Sequence, residues 1–322
     1  MKILIAGGAG FVGSHLCDRF LAEGCEIWCL DNLITGSRSN IAHHGKVRDF
    51  VFVEEDILAF DCLKLPHDFN AILHFASPAS PVDYVKYSLE TLRVNGEGTR
   101  RLLDLAEVCG ARFLFASTSE VYGDPLVAVQ NEEYWGNVNP IGMRSMYDEG
   151  KRYGEACVMV YRRTRGVDAR LIRIFNTYGP RMRTDDGRVI PNFLSQALTG
   201  KSLTIYGDGR QTRSFCYVDD LVEGIVRMVH GRHQGPVNLG NPGEFTVLEL
   251  IREIEKILGM RLKTEHMPPL PDDPRRRKPD ISKAKSLLGW EPKISLAEGL
   301  KKTVPYFKEK LQGEQKAKAV EG

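Results

Sequence analysis

Three groups of residues in this sequence have the types and spacing to do chemistry. The first is "GGAGFVGSHL", where Gly7, Gly10 and Gly13 recur at every third position directly after the apolar run "KILIA". Glycines there clear a strand-to-helix turn of side chains, so that amide N–H groups and the positive end of a helix dipole can face the phosphates of a dinucleotide. Asp31 ends the next run, "EIWCLDN", where an acid accepts both ribose hydroxyls of an adenosine and repels a 2′-phosphate. That favours NAD over NADP, although Arg38 in "TGSRSN" is a cation within reach of such a phosphate. Asp56 in "EEDIL" is a candidate for the adenine edge. The second group is Tyr147 and Lys151 in "SMYDEGK", one helical turn apart and so on one face. An ammonium near a phenol favours the phenolate, which makes the tyrosine a base near neutral pH. The third is "FLFASTSEVYG", an apolar run that ends in Thr118, Ser119 and Glu120. Taken singly, these are an ordinary turn, a solvated helix face and a capped strand; their order in one chain is what carries the chemical reading.

The elements that must hold these groups alternate. Short β-branched runs ("KILIA", "EIWCL", "FVFVEE", "AILHFA", "RFLFAS", "ARLIRIF") are separated by longer stretches of helical spacing such as 88 to 109, which predicts a doubly wound parallel sheet of Rossmann type. After about residue 180 the rhythm changes to Pro- and Gly-punctuated segments. A division follows: a dinucleotide-binding part over 1–180 that carries the catalytic residues, a smaller substrate-binding region over 181–312 with segments returning to the first part, and a solvated tail over 313–322 with Val320 as its one large apolar residue.

With 42% hydrophobic and 27% charged residues in 322, the chain can bury a large core. A net charge of +2 with no basic helix interleaved with aromatics argues against a nucleic-acid partner. The first apolar run is broken by glycines before it reaches the length of a membrane span or signal core, so no membrane partner is expected. Seven cysteines without paired short spacings fit a reducing, cytoplasmic compartment and give no metal pattern.

The order of "GGAGFVG", "STSEVYG", "YDEGK", "RIFNTYGPR", "YGDGRQTRSF" and "LGWEP" resembles the extended short-chain dehydrogenase/reductase superfamily of nucleotide-sugar enzymes over residues 1 to 310. "HFASPASP", "NPIG", "FNTYGPRM", "DGRVI" and "DDPRRRKPDI" are more closely similar to the UDP-glucuronate decarboxylases, the UDP-xylose synthases. The resemblance implies that Thr118, Glu120, Tyr147, Lys151 and Arg277 are catalytic. It places NAD against Gly7, Gly10, Phe11, Val12, Gly13, Asp31, Asn32, Thr35, Gly36, Asp56, Ile57, Phe75, Ala76, Ser77, Ala116, Tyr147, Lys151, Phe175, Thr177 and Arg183. It assigns the UDP-sugar to Arg93, Asn176, Arg188, Tyr206, Gln211 and Arg213, guanidinium forks suiting diphosphate oxygens. The sequence departs from the family at Met143, where relatives usually have proline, at Ser145 and Met146, and at Arg93, where lysine is common.

Within this superfamily a 4,6-dehydratase has Thr-Asp-Glu at the strand end, an acid paired with a base, and a 4-epimerase usually has no carboxylate there. Thr118-Ser119-Glu120 has one carboxylate without its acid partner, which suits loss of carbon dioxide. The expected cycle is oxidation at C4, decarboxylation of the β-keto acid, protonation at C5 and return of the hydride to C4, so that NAD is regenerated. A dehydratase, an epimerase and a silent NAD-binding regulator are the alternatives, the last disfavoured because Tyr147 and Lys151 are both present. The resemblance also implies a homodimer through a four-helix bundle built from helices 88 to 109 and 148 to 165, with Leu89, Leu92, Leu102, Leu103, Val158 and Tyr161 offered for the contacts.

Overall fold

The structure, a computed structural model, describes residues 1–268 and 277–321. The acidic and basic residues 272–276 before Arg277 therefore lie outside the described residues. Strands β1 (Lys2–Ala6), β2 (Glu26–Leu30), β3 (Phe50–Val53), β4 (Ala71–His74), β5 (Arg112–Thr118) and β6 (Ala169–Ile174) alternate with helices α1 (Phe11–Ala22), α2 (Pro81–Lys86), α3 (Ser88–Arg93), α4 (Thr99–Cys109) and α5 (Ser145–Thr164). Further on lie β7 (Thr177–Tyr178), α6 (Val189–Leu198), β8 (Leu203–Tyr206), β9 (Thr212–Ser214), β10 (Cys216–Tyr217), α7 (Val218–His230) and β11 (Val237–Leu239). The chain ends with β12 (Glu244–Thr246), α8 (Val247–Leu258), β13 (Thr264–Met267), α9 (Ser282–Leu288) and α10 (Leu296–Glu321).

The predicted doubly wound sheet is present, with seven parallel strands in the order β11-β6-β5-β4-β1-β2-β3. Helices cover both faces, so the central strands are buried on both sides and read as continuous apolar runs; every residue of β4 is buried. The strand order reverses between β1 and β4, and a ligand crevice opens at the carboxyl ends of the strands on either side of such a point. The glycine turn after β1 and the hydroxyl-rich end of β5 both face that crevice.

Between α3 and α4 the helix widens into a π turn at Val94–Gly98. Buried His74, at the end of β4, meets the Val94 carbonyl through Nε2 at 3.2 Å, and Asn95 in the same turn donates through Nδ2 to the Ser77 hydroxyl at the crevice wall. This bend aligns α3 and α5 side by side against the sheet edge that carries the site.

Residues after 180 supply the far wall of the crevice and return to the main sheet through β11. A continuous apolar cluster runs from Ile3 and Leu114 through Phe193 and Trp290 to Phe307, so these later segments share a core with the first strands. Where the sequence predicts a solvated tail from 313, α10 runs on to Glu321. Alanine, lysine and glutamate are good helix formers, and the Glu314 carboxylate accepts the Thr184 hydroxyl at 3.0 Å, so a long apolar face is not needed to hold this turn.

Candidate active site

The cradle comes from a turn that tolerates no side chain. Gly7 has a φ of +81°, and a Cβ built there would lie 2.6 Å from the Ala76 backbone nitrogen; one at Gly13 would sit inside the Gly7 carbonyl. α1 starts at Phe11 with Gly10 as its N-cap and no side chain bonding its first amides, so they point into the crevice. Asp31 stands beside them, buried. Its Oδ2 accepts the Ala9 amide at 3.0 Å and its Oδ1 the Leu33 amide at 2.8 Å, and Gly36 packs against the carboxylate so closely that a Cβ would strike it. Burial pushes the Asp31 carboxyl up, partly offset by these amide bonds. The carboxylate lines the crevice, where a ribose hydroxyl would donate to it. Asn32 Nδ2 reaches Asp56 Oδ2 at 3.1 Å, tying the ends of β2 and β3 together at the same wall. Arg38 is turned away onto Glu54 and the Phe52 ring and does not line the crevice.

Of the residues assigned to the cofactor, Thr35, Ile57, Phe75, Ala76, Ser77, Ala116, Phe175, Thr177 and Arg183 line the same crevice with Phe11 and Val12. Gly36 lies behind Asp31. The glycine cradle and the acid beside it fit an NAD dinucleotide, which these residues would hold.

At the end of β5 the polar residues turn out to be a built centre. Thr118 Oγ1 accepts the Glu120 amide at 3.2 Å and hydrogen-bonds the Tyr147 hydroxyl. Tyr147 and Lys151 lie on the buried face of α5, and Lys151 Nζ donates to the Ala116 carbonyl at 2.8 Å while lying 5.8 Å from the Tyr147 ring centre. Burial pulls the Lys151 ammonium down to about 7, against the charge of Glu155. Burial and then the Glu120 charge push the Tyr147 phenol up to about 12, opposed by the Thr118 bond and Arg188. A positive charge arriving in the crevice beside the phenol would lower it.

Glu120 is buried between two guanidiniums. Arg277 reaches both carboxylate oxygens, with Nη2 to Oε2 at 2.9 Å, and Arg144 donates through Nη2. Burial alone would raise this carboxyl, but the charges of Arg277 and Arg144 outweigh it and hold the group below the usual range. Tyr84 on α2 stacks on Tyr147 with ring centres 5.1 Å apart and planes 13° apart.

Arg144 and Tyr84 are absent from the sequence reading. Arg144 carries a local signal: a cation just before a helix start opposes the helix dipole, and such rule-breaking marks a functional position. Tyr84 has no such mark in the sequence.

On the opposite wall Asn176, Arg188, Tyr206, Gln211 and Arg213 line the crevice. Arg188 is fixed by Asp186, with Nε to Oδ1 at 2.6 Å and Nη2 to Oδ2 at 2.8 Å, and Gln211 Nε2 donates to the Tyr206 carbonyl at 2.8 Å. Arg93 does not join them: it lies on the exposed side of α3, forked onto Glu97 one turn on, and does not reach the crevice. Met143 is exposed in the loop leading to α5. Away from the crevice, His43 and His44 both bond Asp18 Oδ1, at 2.8 and 2.7 Å, and Arg181 occupies its Oδ2, a cluster of metal-ligand types that the cysteine and histidine spacing did not reveal.

Residues 3–240 match the NAD dependent epimerase/dehydratase family. The chain is 52% identical over 316 residues to UDP-glucuronic acid decarboxylase 4 of Arabidopsis thaliana, covering 98% of this chain and 70% of that protein. It is 50% identical over 311 residues to UDP-glucuronic acid decarboxylase 1 of Danio rerio, covering 97% and 73%. Among solved structures, UDP-glucuronic acid 4-epimerase from Bacillus cereus in complex with UDP-glucuronic acid and NAD superposes with a TM-score of 0.87 at 33% identity, covering 96% of this chain and 99% of that one. The match over most of the chain, with the glycine cradle and the Tyr147–Lys151 pair in place, shows that this chain belongs to the NAD dependent epimerase/dehydratase family of extended short-chain dehydrogenases/reductases.

Proposed function

We propose that this chain converts UDP-glucuronate to UDP-xylose and carbon dioxide, using NAD that is regenerated in each turnover. The observation that carries the reading is Glu120 held by Arg144 and Arg277 beside Thr118 and Tyr147: one carboxylate at the strand end in place of an acid–base pair, with two guanidiniums suited to a sugar that bears its own carboxylate. Bound against Gly7, Gly10, Gly13 and Asp31, NAD supplies the hydride acceptor and donor for C4. The chain's own residues do the rest. Tyr147 takes the proton of the 4-hydroxyl, with Thr118 bonded to the same oxygen and Lys151 one helical turn away on the same face. The C4 ketone lies β to the carboxylate, so the C5–C6 bond breaks with its electrons flowing toward the ketone oxygen, where Tyr147 and Thr118 stabilise the enolate. Glu120 and Arg277 order the water that protonates C5. Arg188, Arg213 and Gln211 anchor the diphosphate end.

One labelled experiment tests this. UDP-glucuronate carrying deuterium at C4 should give UDP-xylose with the deuterium still at C4, and unlabelled substrate in heavy water should gain one deuterium at C5. A product that keeps C6 would make the chain an epimerase, and release of the C4 label to bulk cofactor would refute internal recycling.

The same reading includes a homodimer through α3 and α5. It is supported by Leu89 and Leu92, which are 71% and 44% exposed, and by Tyr153 and Val160 on the neighbouring helix face. Leu102, Leu103 and Val158, also offered for the contact, are fully buried in the chain's own core instead, and the Tyr161 hydroxyl is spent on Asp104. A monomeric mass in light scattering at micromolar concentration would refute the dimer. A cytoplasmic location is supported by seven free cysteines; among the described residues no helix is long and apolar enough to cross a membrane.

A further inference from the structure

Beside Glu120 lies a second carboxyl to which the mechanism gives no work. Asp148 sits in the first turn of α5, between Tyr147 and Glu149, with only 6% of its surface exposed. Its Oδ2 is 4.0 Å from Arg144 Nε, and its Oδ1 is buried without any hydrogen-bond partner. A buried carboxylate oxygen left bare costs several kcal/mol when ionised, whereas a protonated one needs far less. The groups that face it are Glu120 from the end of β5, Arg144 and Glu149 from its own segment, Arg277 from the loop before α9, and the phenols Tyr84 and Tyr147.

Two guanidiniums thus serve two acids. Among the described residues, Arg277 and the terminal nitrogen of Arg144 hold Glu120, and Asp148 faces the side of Arg144. With both acids ionised, these two guanidiniums face two negative charges. A sugar carboxylate entering against the cluster would find these cations already matched. With Asp148 protonated the two guanidiniums face one negative charge, which leaves one for an incoming carboxylate.

Building on the decarboxylase reading, we propose that Asp148 is the proton reservoir of this cluster: when an acidic nucleotide sugar binds, Asp148 takes up a proton from solvent at Oδ1, freeing Arg144 charge for the sugar's carboxylate. The step forms one O–H bond and involves no electron transfer. It also matches the reaction, since replacing a carboxylate by C–H with loss of carbon dioxide consumes one proton. Asp148 does not line the crevice, so it is a positioning residue that acts through Arg144 and Glu120. Burial and then the Glu120 charge push its carboxyl up to about 7, against Arg144 and Arg277. A further carboxylate arriving nearby raises it more.

The test counts protons. In the Tyr147→Phe background, which stops turnover, the NAD-loaded protein is titrated calorimetrically with UDP-glucuronate in buffers of differing ionisation enthalpy. Uptake should be measurable at pH 7 and larger at pH 8, because a carboxyl pushed up towards neutrality begins partly protonated at pH 7 and less so at pH 8. Asp148→Asn added to this background should bring uptake near zero while UDP-glucuronate still binds, and UDP-xylose, which lacks the carboxylate, should bind without uptake. Unchanged uptake in the asparagine variant, or equal uptake with UDP-xylose, would overturn the proposal. If that variant does not fold, absence of uptake at both pH values in the Tyr147→Phe protein alone overturns it equally. Failure of UDP-glucuronate to bind at all would instead sink the decarboxylase reading, and this proposal with it.

Discussion

Replacing Arg144 by methionine removes one of the two cations on Glu120 and leaves the other in place. The side chains involved are mostly buried, with 19% exposure at Arg144 and 13% at Glu120, so solvent screens the pair little. At a charge separation near 4 Å and an effective dielectric of about 20, the lost attraction is about 4 kcal/mol. Arg277 keeps its two-pronged grip, and the methionine stem escapes the desolvation that Arg144 endures, so roughly half of that survives as a net effect on Glu120. About 2 kcal/mol corresponds to a rise of about 1.5 pKa units. The acid limb of the pH profile of kcat/KM should move up by that amount, and kcat/KM at neutral pH should fall about 10- to 100-fold as the substrate's carboxylate loses a partner. Stability should shift in the same sense. The depressed Glu120 carboxyl contributes stability above its unfolded pKa that is lost as pH falls through its folded pKa, so weakening the depression shrinks the contribution and brings acid unfolding to higher pH. Arg144→Lys, which keeps charge without the fork, should fall between. The assay is carbon dioxide release from UDP-glucuronate between pH 5 and 9. A kcat/KM within threefold of the parent with an unmoved acid limb would refute the claim that Arg144 sets the state of Glu120.

Tyr147→Phe should retain NAD within a few fold and lose about a thousandfold in turnover, the range of a general base; near-normal turnover would remove the tyrosine from the mechanism. Gly13→Ala places a methyl group inside the Gly7 carbonyl, so NAD affinity should drop at least about a hundredfold; an affinity within threefold in a fluorescence titration would dismiss the cradle. Burial and the nearby Lys151 charge pull buried His74 down to about 3, which leaves the unfolded chain binding one more proton than the folded one between its ordinary value and that point. Stability conferred by the neutral ring is therefore complete above about pH 6.5 and is lost as pH falls, by about 1.4 kcal/mol per pH unit. His74→Leu should flatten that slope by about one proton in urea melts at several pH values, and an unchanged slope would count against it.

Much of the site was readable because its chemistry is local. Gly7, Gly10, Gly13 and Asp31 fall within one βα unit and the strand that follows, so chain spacing alone sets their separation, and Tyr147 and Lys151 share a helix face by periodicity. The alternation of apolar runs likewise dictates a parallel sheet, because short strands joined by helices cannot pair otherwise without long crossings.

Other features depend on how elements are turned and docked, which no spacing encodes. Arg93 has the charge for a substrate ligand, but the rotation of α3 points it outward to Glu97. Leu102, Leu103 and Val158 have the apolar character of an interface, yet the faces that bear them are the ones pressed on the sheet. Residues 313–321 lack an apolar stripe and still continue α10, held in part by a contact from Glu314 to Thr184 far back in the chain. Tyr84 meets Tyr147 only because α2 and α5 come together at the crevice. Arg277 reaches Glu120 across 157 positions of chain, and only in the folded protein do two guanidiniums and two carboxyls become one electrostatic unit. Residue types and local periodicity determine which groups can react and which face they share; the charge state of Glu120 and Asp148 is a property of long-range burial and Coulomb interaction, and so exists only in the folded chain.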